Sequence, residues 1–371
     1  VEGRRERQVK LPLLRVYRWW RLLILCLALP IATASAEVDT SLPTCAGLPV
    51  VVRTAMHFGR ITSVDEKEGT FTATVDLRLR WPDTRLEYPK SDEAAFKEFK
   101  EADAAQQLTQ MWVPFVELSN TASKPTVLIN SLRIFPDGQV EWIQRVNAKF
   151  TTSFDPQRFP FDQQKLGVEL IVRGEDRNRV ALDYRQDDLD FSAADPDLKL
   201  ERWLVGFTNI RRDPLRGLYG ATHARAWVEL QIQRKFTMAL APIFIPLFAS
   251  LLIPLMAVFM NRTVDGVFQI EAFSLANIVI GGLFAVIALN FTVNSSYPTL
   301  GGTDNTVTRL FGLSYLAQGV ALTTIIALFR FNAVRYTLGK YVQEQLFLCI
   351  IWAGPLLALA TAIALLFVAM A

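Results

Sequence analysis

Apolar and polar residues follow two different rhythms in this chain. In the first half they alternate. From Thr70 to Arg80, Phe71, Ala73, Val75, Leu77 and Leu79 interleave with Thr72, Thr74, Asp76, Arg78 and Arg80. A period of two puts one set on each face and predicts a half-buried strand. The preceding Val64–Gly69, VDEKEG, reads as a turn. Val127–Phe135 and Gln139–Phe150 flank Pro136-Asp137-Gly138 and read as a hairpin, because Asp-Gly supplies the positive-φ turn. Leu166–Val172, Val180–Tyr184, Trp203–Ile210 and Ala224–Phe236 add further strands. Glu93–Leu108, rich in Ala, Glu, Lys and Gln, predicts a helix in a surface insertion. Many short strands joined by turns predict an all-β, antiparallel, immunoglobulin-like sandwich.

From residue 236 the rhythm changes to long apolar runs at about 236–260, 273–296, 307–331 and 341–370. Each is long enough to cross a bilayer core of about 30 Å. The fold class expected is therefore a β-sandwich over 37–235 followed by an α-helical bundle of four transmembrane segments over 236–371. Phe273–Ser296 carries no charge. At helical spacing one face shows Asn277, Gly281, Phe284, Ala288, Phe291 and Ser295. A helix anchored only in lipid gains nothing from Asn277 or the Gly281-Gly282 pair; a pore-lining helix, or one packed tightly on others, does. Pro242, Pro246 and Pro254 fall in the first run, where neighbouring helices must answer the freed carbonyls. Arg262, Arg330, Arg335 and Lys340 lie in two loops, while the third, Thr299–Asn305, has no Lys or Arg. The positive-inside rule places that third loop and the sandwich outside the cell.

Composition removes several function classes. Thirty-nine basic and 36 acidic residues leave a net charge of +3, too little to argue for a nucleic-acid partner. Residues 1–36 read as a secretory signal: Arg4, Arg5, Arg7 and Lys10, then apolar Leu22–Ile31, then Ala34-Ser35-Ala36. An uncleaved anchor is the other reading. Cleavage near Glu37 would put the soluble half in the periplasm of a multi-pass inner (cytoplasmic) membrane protein. Cys45 and Cys349 lie at opposite ends of the mature chain, so no structural disulfide is expected. Two histidines, His57 and His223, with those cysteines make no convincing metal site or nucleophile pair. Neither a Gly-rich phosphate loop nor a nucleophile elbow is found. No enzyme activity, cofactor or metal is expected.

One loop is specific. Phe159-Pro160-Phe161-Asp162, within TTSFDPQRFPFDQQKL, resembles the signature loop of the pentameric ligand-gated ion channels, the Cys-loop receptor superfamily. Thr152 and Leu166 stand where animal members have cysteines, as in the prokaryotic branch. Trp81-Pro82-Asp83-Thr84-Arg85-Leu86, Trp112-Val113-Pro114, the Pro136-Asp137-Gly138 turn and Arg234 before the first apolar run resemble family landmarks in the same order. Leu170-Ile171-Val172-Arg173 is similar to the family's bacterial proton-gated member. The resemblance covers about residues 48–371.

The resemblance implies a homopentamer with one pore helix from each subunit. Pro298 sets the register and assigns Asn277, Gly281, Phe284, Ala288, Phe291 and Ser295 to the pore. Rings of Phe284 and Phe291 would close it by dewetting; packing between helices is the competing reading. Glu271, near the cytoplasmic mouth, implies cation selectivity, unless it only caps the helix start. Coupling is implied through Glu66, Phe159, Pro160, Phe161, Asp162, Arg234 and Pro298, with Arg234 pairing Asp162 and Glu66. The usual aromatic box is missing, with Ser119 and Arg173 at two of its positions. Arg145, Arg173 and Glu175 are the alternative agonist contacts, suited to a carboxylate, or else members of surface ion pairs. Protons are a second signal, through Asp65, Glu66, Glu68 and Glu175, although Gly69 and Val286 depart from the proton-gated pattern. The function expected is a ligand- or proton-gated, cation-selective channel, with membrane, small-molecule agonist or protons, and permeating inorganic ions as partners. A non-conducting, membrane-anchored periplasmic receptor is the rival.

Overall fold

The computed structural model describes residues 39–44, 47–90 and 94–370. The expected signal sequence and Cys45 lie outside these residues. Strands β1 (Val50–Asp65), β2 (Thr70–Pro82) and β3 (Lys97–Lys100) come first, followed by helix α1 (Glu101–Leu108). Then come β4 (Val116–Leu118), β5 (Thr126–Ile134), β6 (Gln139–Thr151), β7 (Gln163–Val172) and β8 (Val180–Asp183). Helix α2 (Gln186–Phe191) precedes β9 (Trp203–Arg216) and β10 (Thr222–Arg234). They form a six-stranded sheet, β3-β5-β6-β2-β1-β8, and a four-stranded sheet, β4-β7-β10-β9.

Alternation in β2 decides the packing. Phe71, Ala73, Val75, Leu77 and Leu79 are all buried. They meet Leu166, Val168, Leu170 and Leu230 of the other sheet in one core cluster. The β2–β6 register runs unbroken from Thr70–Thr151 to Pro82–Gln139. Gly138 in the β5–β6 turn has φ +73°, and a Cβ there would sit 2.6 Å from the Asp83 carbonyl oxygen. Only glycine fits that position.

Two expectations are corrected. Glu93–Leu108 is not one helix: Lys97–Lys100 pairs with Ile134–Ser131, and helix begins only at Glu101. Ladder hydrogen bonds and the Phe96–Phe135 contact, 5.5 Å between ring centroids, override local helix propensity. The sandwich is also not purely antiparallel. β8 arrives from the opposite sheet and runs parallel to β1, with Val50 opposite Val180. The sequence expectation further shortened β9, which continues through Arg216.

After Arg234 the chain turns into the bundle: α3 (Thr237–Phe259), α4 (Ala272–Ser296), α5 (Thr306–Arg330), short α6 (Ala333–Leu338) and α7 (Lys340–Met370). Four of these are long and apolar enough to cross a membrane. A small hairpin, β11 (Thr263–Val264) and β12 (Val267–Phe268), joins α3 to α4 and carried no period in the sequence. Helices α3 and α5 pack on each other, with α4 on one side of the pair and α7 on the other.

Prolines leave a mark here. Pro254 lies inside α3 and cannot donate to the Ser250 carbonyl, a defect worth ~3 kcal/mol in an isolated helix. Gln318 of α5 answers it, donating Nε2 to that oxygen at 3.0 Å. Far from the sandwich, buried Gln343 ties three segments together. Its Nε2 donates to the Gly266 carbonyl at 2.8 Å and to Asn332 Oδ1 at 3.1 Å, and its Oε1 accepts from the Arg335 amide at 3.1 Å.

Candidate pore helix and domain junction

Helix α4 presents two opposed faces. Leu275, Val279, Gly282, Val286 and Val293 are buried against α3 and α5. Asn277, Gly281, Phe284, Ala288, Phe291 and Ser295 are all exposed. Residues two apart lie ~200° around an α-helix, so the two stripes point in opposite directions. Phe284 is 68% exposed and Phe291 78% exposed, so these rings turn away from their own bundle. The adjacent glycines have separate surroundings. A Cβ at Gly281 would meet nothing within 4 Å, whereas one at Gly282 would strike Ile253 at 2.8 Å. Glu271 is the N-cap residue of α4, exposed, and its side chain makes no capping hydrogen bond.

At the other end of α4 the sandwich meets the bundle. Arg234, the last residue of β10, is 6% exposed. Its Nε donates to Asp162 Oδ1 at 2.7 Å and its Nη2 to Asp162 Oδ2 at 3.0 Å. Nη1 and Nη2 also reach Glu66 Oε1 and Oε2, at 3.0 and 2.8 Å. Both carboxylates are thus held bidentately, which suits the planar guanidinium fork. Burial, the largest influence, works against the charge, yet the hydrogen bonds it donates to Glu66 and Asp162 hold the guanidinium above its ordinary pKa. The Arg234 side chain lies over two rings, 4.2 Å from the Trp203 centroid and 4.8 Å from that of Phe159. Gln164 Nε2 donates to Asp162 Oδ2 at 2.8 Å and completes the set.

The β6–β7 loop inserts its apolar tip into the bundle. Phe159 is fully buried in the transmembrane cluster with Ile243, Phe244 and Val293. It meets Tyr297 edge to face, with centroids 5.4 Å apart. Phe161 stacks on Phe236 at 5.0 Å. The Phe159–Pro160 peptide is cis, and Pro160 is buried. Pro298 opens a 3₁₀ turn directly after α4. It lines a cleft of about 450 Å³ with Glu66, Lys67, Lys149, Arg202 and Tyr297.

The agonist candidates are not gathered in one place. Arg145 on β6 donates to both Asp76 oxygens, at 2.7 and 2.8 Å. Arg173 donates to Glu117 at 2.5 Å, in the other sheet. Glu175 lies 2.8 Å from Arg179 Nη1. Each charge already has a partner. Ser119 donates to Glu169, which also accepts from Arg225. Of the acid-sensing candidates, Glu68 pairs with Lys149 at 2.7 Å, and Asp65 accepts from the Lys67 and Glu68 amides.

Sequence reasoning missed Tyr297 and Trp203, the aromatic partners of Phe159 and Arg234. It also missed a charge cluster on the six-stranded sheet. Arg53 and Arg78 both donate to Asp188, at 2.8 and 2.9 Å, and Arg80 joins Glu141 to Asp187. Arg78 and Arg80, two apart on β2, were the available signal; Asp187 and Asp188 come from more than 100 residues away in α2, and Glu141 from β6.

Comparison with known proteins agrees with this architecture. The neurotransmitter-gated ion-channel ligand-binding domain family matches residues 40–236. A proton-gated ion channel of Gloeobacter violaceus is 25% identical over 305 residues, covering 82% of this chain and 76% of that protein. The acetylcholine receptor subunit beta-type lev-1 of Caenorhabditis elegans is 28% identical over 149 residues, 39% of this chain and 28% of its own. The human gamma-aminobutyric acid receptor subunit rho-3 is 33% identical over 133 residues, 34% of this chain and 27% of its own. The chain thus spans about three quarters of the bacterial channel and less than a third of either receptor subunit. With a matched ligand-binding sandwich leading through Arg234 into four apolar helices, the chain belongs to the neurotransmitter-gated ion-channel family, the pentameric ligand-gated or Cys-loop receptor superfamily.

Proposed function

We propose that the chain is one subunit of a homopentameric, cation-selective channel whose pore is lined by α4. The observation that carries this is the orientation of Phe284 and Phe291. Their helix buries its opposite face on α3 and α5, and α7 takes the far, lipid side of that pair. Large rings pointing away from the bundle on the side opposite α7 fit a central axis shared with other subunits. A closed cyclic arrangement turns five such faces toward one shared axis. Phe284 and Phe291 then form the apolar constriction, with Asn277 and Gly281 on the cytoplasmic side and Ser295 on the outer side. Glu271 puts a carboxylate at the inner mouth. In this reading the sandwich lies in the periplasm of the inner membrane.

The signal is a proton or a small agonist received by the sandwich. Similarity to a protein named as a proton-gated channel favours protons. Glu66, Phe159, Pro160, Phe161, Asp162, Arg234 and Pro298 transmit it to α4. Arg145, Arg173 and Glu175 serve as agonist contacts only if a ligand displaces their present carboxylate or guanidinium partners.

Purified protein in liposomes tests this reading under acid steps from pH 7.5 to 4, followed by small carboxylates and amines. The expected result is a stimulus-dependent cation current whose reversal potential in a salt gradient moves towards zero in Glu271→Gln. Absence of current under every stimulus, or chloride permeation unaffected by Glu271→Gln, overturns the channel or the selectivity respectively.

A further inference from the structure

Three helices meet where α4 has no side chain. A methyl on Gly282 would sit 2.8 Å from Ile253 Cγ2 of α3, and 3.0 and 3.2 Å from Gln318 Nε2 and Oε1 of α5. Glycine therefore lets the α4 backbone rest directly on both neighbours. At the same level α3 carries the gap left by Pro254, and the Ser250 carbonyl depends on Gln318 Nε2 at 3.0 Å. The Ser250 hydroxyl is turned back onto the Leu247 carbonyl at 2.6 Å. Gln318 is 1% exposed, and its Oε1 has no donor among the described residues. One side chain amide thus closes the proline gap in α3, belongs to α5 and abuts α4.

We infer that Gln318 is a positioning residue for the pore helix, fixing how far α4 stands from the α3–α5 pair. The bond to Ser250 fixes the amide in place, because Pro254 leaves that carbonyl without its ordinary helical donor in an apolar bundle. With the amide fixed, contact at Gly282 sets the closest approach of α4. The unsatisfied Oε1 gives the node a second arrangement. When α4 withdraws from Gly282, space opens for a water on that oxygen, so the contact is between two alternatives rather than one rigid minimum. The consequence for gating rests on α4 being the pore helix; the consequence for α4 position does not.

A proline cycle separates this role from simple packing. Gln318→Met keeps the length and removes both polar groups. Pro254→Ala restores the backbone donor to Ser250, which makes the Gln318 bond redundant. Wild type, both single variants and the double variant are purified in detergent and melted. Spin labels at Ser295→Cys, in a Cys26→Ser, Cys45→Ser, Cys349→Ser background, report the spacing of α4 helices between subunits. Gln318→Met is expected to lower the melting temperature, shift the label distances and move the activation midpoint by about five-fold or more. Pro254→Ala is expected to cancel most of the melting loss. Wild-type label distances in Gln318→Met, or a melting loss of equal size in the Pro254→Ala background, overturn the inference. If Gln318→Met does not fold, Gly282→Ala takes its place in the distance measurement, and unchanged distances there overturn it equally. A wild type that passes no current refutes the channel reading alone, since melting and label distances still judge Gln318.

Discussion

Phe159, at the tip of the β6–β7 loop, meets Tyr297, directly after α4, edge to face with ring centroids 5.4 Å apart. This is a direct contact between the sandwich and the end of the proposed pore helix. An aromatic pair of this geometry is worth ~0.5–1.5 kcal/mol beyond its area burial. Phe159→Leu and Tyr297→Leu should each shift the activation midpoint in liposome flux, and the double variant should shift it less than the sum. Strict additivity would remove this contact from the coupling route.

Arg234 should tolerate little change. Removing one partner of a buried charge set costs about 3–5 kcal/mol, because Asp162 and Glu66 would be left without their counter-ion. Asp162 is 1% exposed. Arg234→Ala is expected to abolish assembly or lower the melting temperature sharply. Arg234→Lys should recover part of the stability but not normal gating, since an ammonium cannot hold two carboxylates bidentately or spread over Trp203 and Phe159. A lysine variant with wild-type activation would contradict that account.

The Phe284 ring is predicted to set the resting barrier. A hydrophobic constriction closes by excluding water, so a hydroxyl should open it. Phe284→Ser is expected to leak cations without a stimulus, measured as fluorescent-dye flux from liposomes at neutral pH. Val286→Ser, on the buried face of the same helix, should instead lower the melting temperature and leave resting flux low. Equal leak from both variants would argue against a pore stripe at Phe284.

Acid should weaken the charge cluster on the six-stranded sheet. A hydrogen bond from Arg53 holds the Asp187 carboxyl below its ordinary value, assisted by the nearby charges of Arg53, Arg80 and Arg78. A depressed folded-state pKa stabilises the fold above the unfolded value of about 3.9 and loses that contribution as pH falls through the folded value. Asp187→Asn should therefore melt below wild type at pH 6, and the gap should narrow only as the pH falls below about 4. Asp187 is half exposed, so the effect is expected to be small. A gap of constant size down to the acid limit of folding would assign the loss to packing rather than charge.

Much of the fold was legible because period and punctuation agree. Alternation from Phe71 to Leu79 located β2, and Asp137-Gly138 located its neighbouring hairpin. Four apolar runs placed the helices to within a residue of Thr237–Phe259, Ala272–Ser296, Thr306–Arg330 and Lys340–Met370. Where local propensity and sheet pairing disagreed, at Lys97–Lys100, the residues themselves favoured helix and a partner strand won. The parallel β8 was hidden for a related reason: four residues carry no record of the direction in which a neighbour will run.

By itself the sequence determined where the chain alternates, where it is continuously apolar, and which stripe of α4 holds two phenylalanines. Those features depend on residues close in sequence or on repeating spacings. Only the tertiary structure decided what the polar residues in apolar surroundings do. Gln318 and Pro254 are unrelated in sequence, yet the missing N–H of one is answered by the amide of the other. Arg234, whose pairing with Asp162 and Glu66 the family resemblance implied, also acquires the rings of Trp203 and Phe159, and these four partners come from three separate segments. A buried donor or charge must find its partner wherever packing brings one, and that depends on long-range assembly rather than on local pattern.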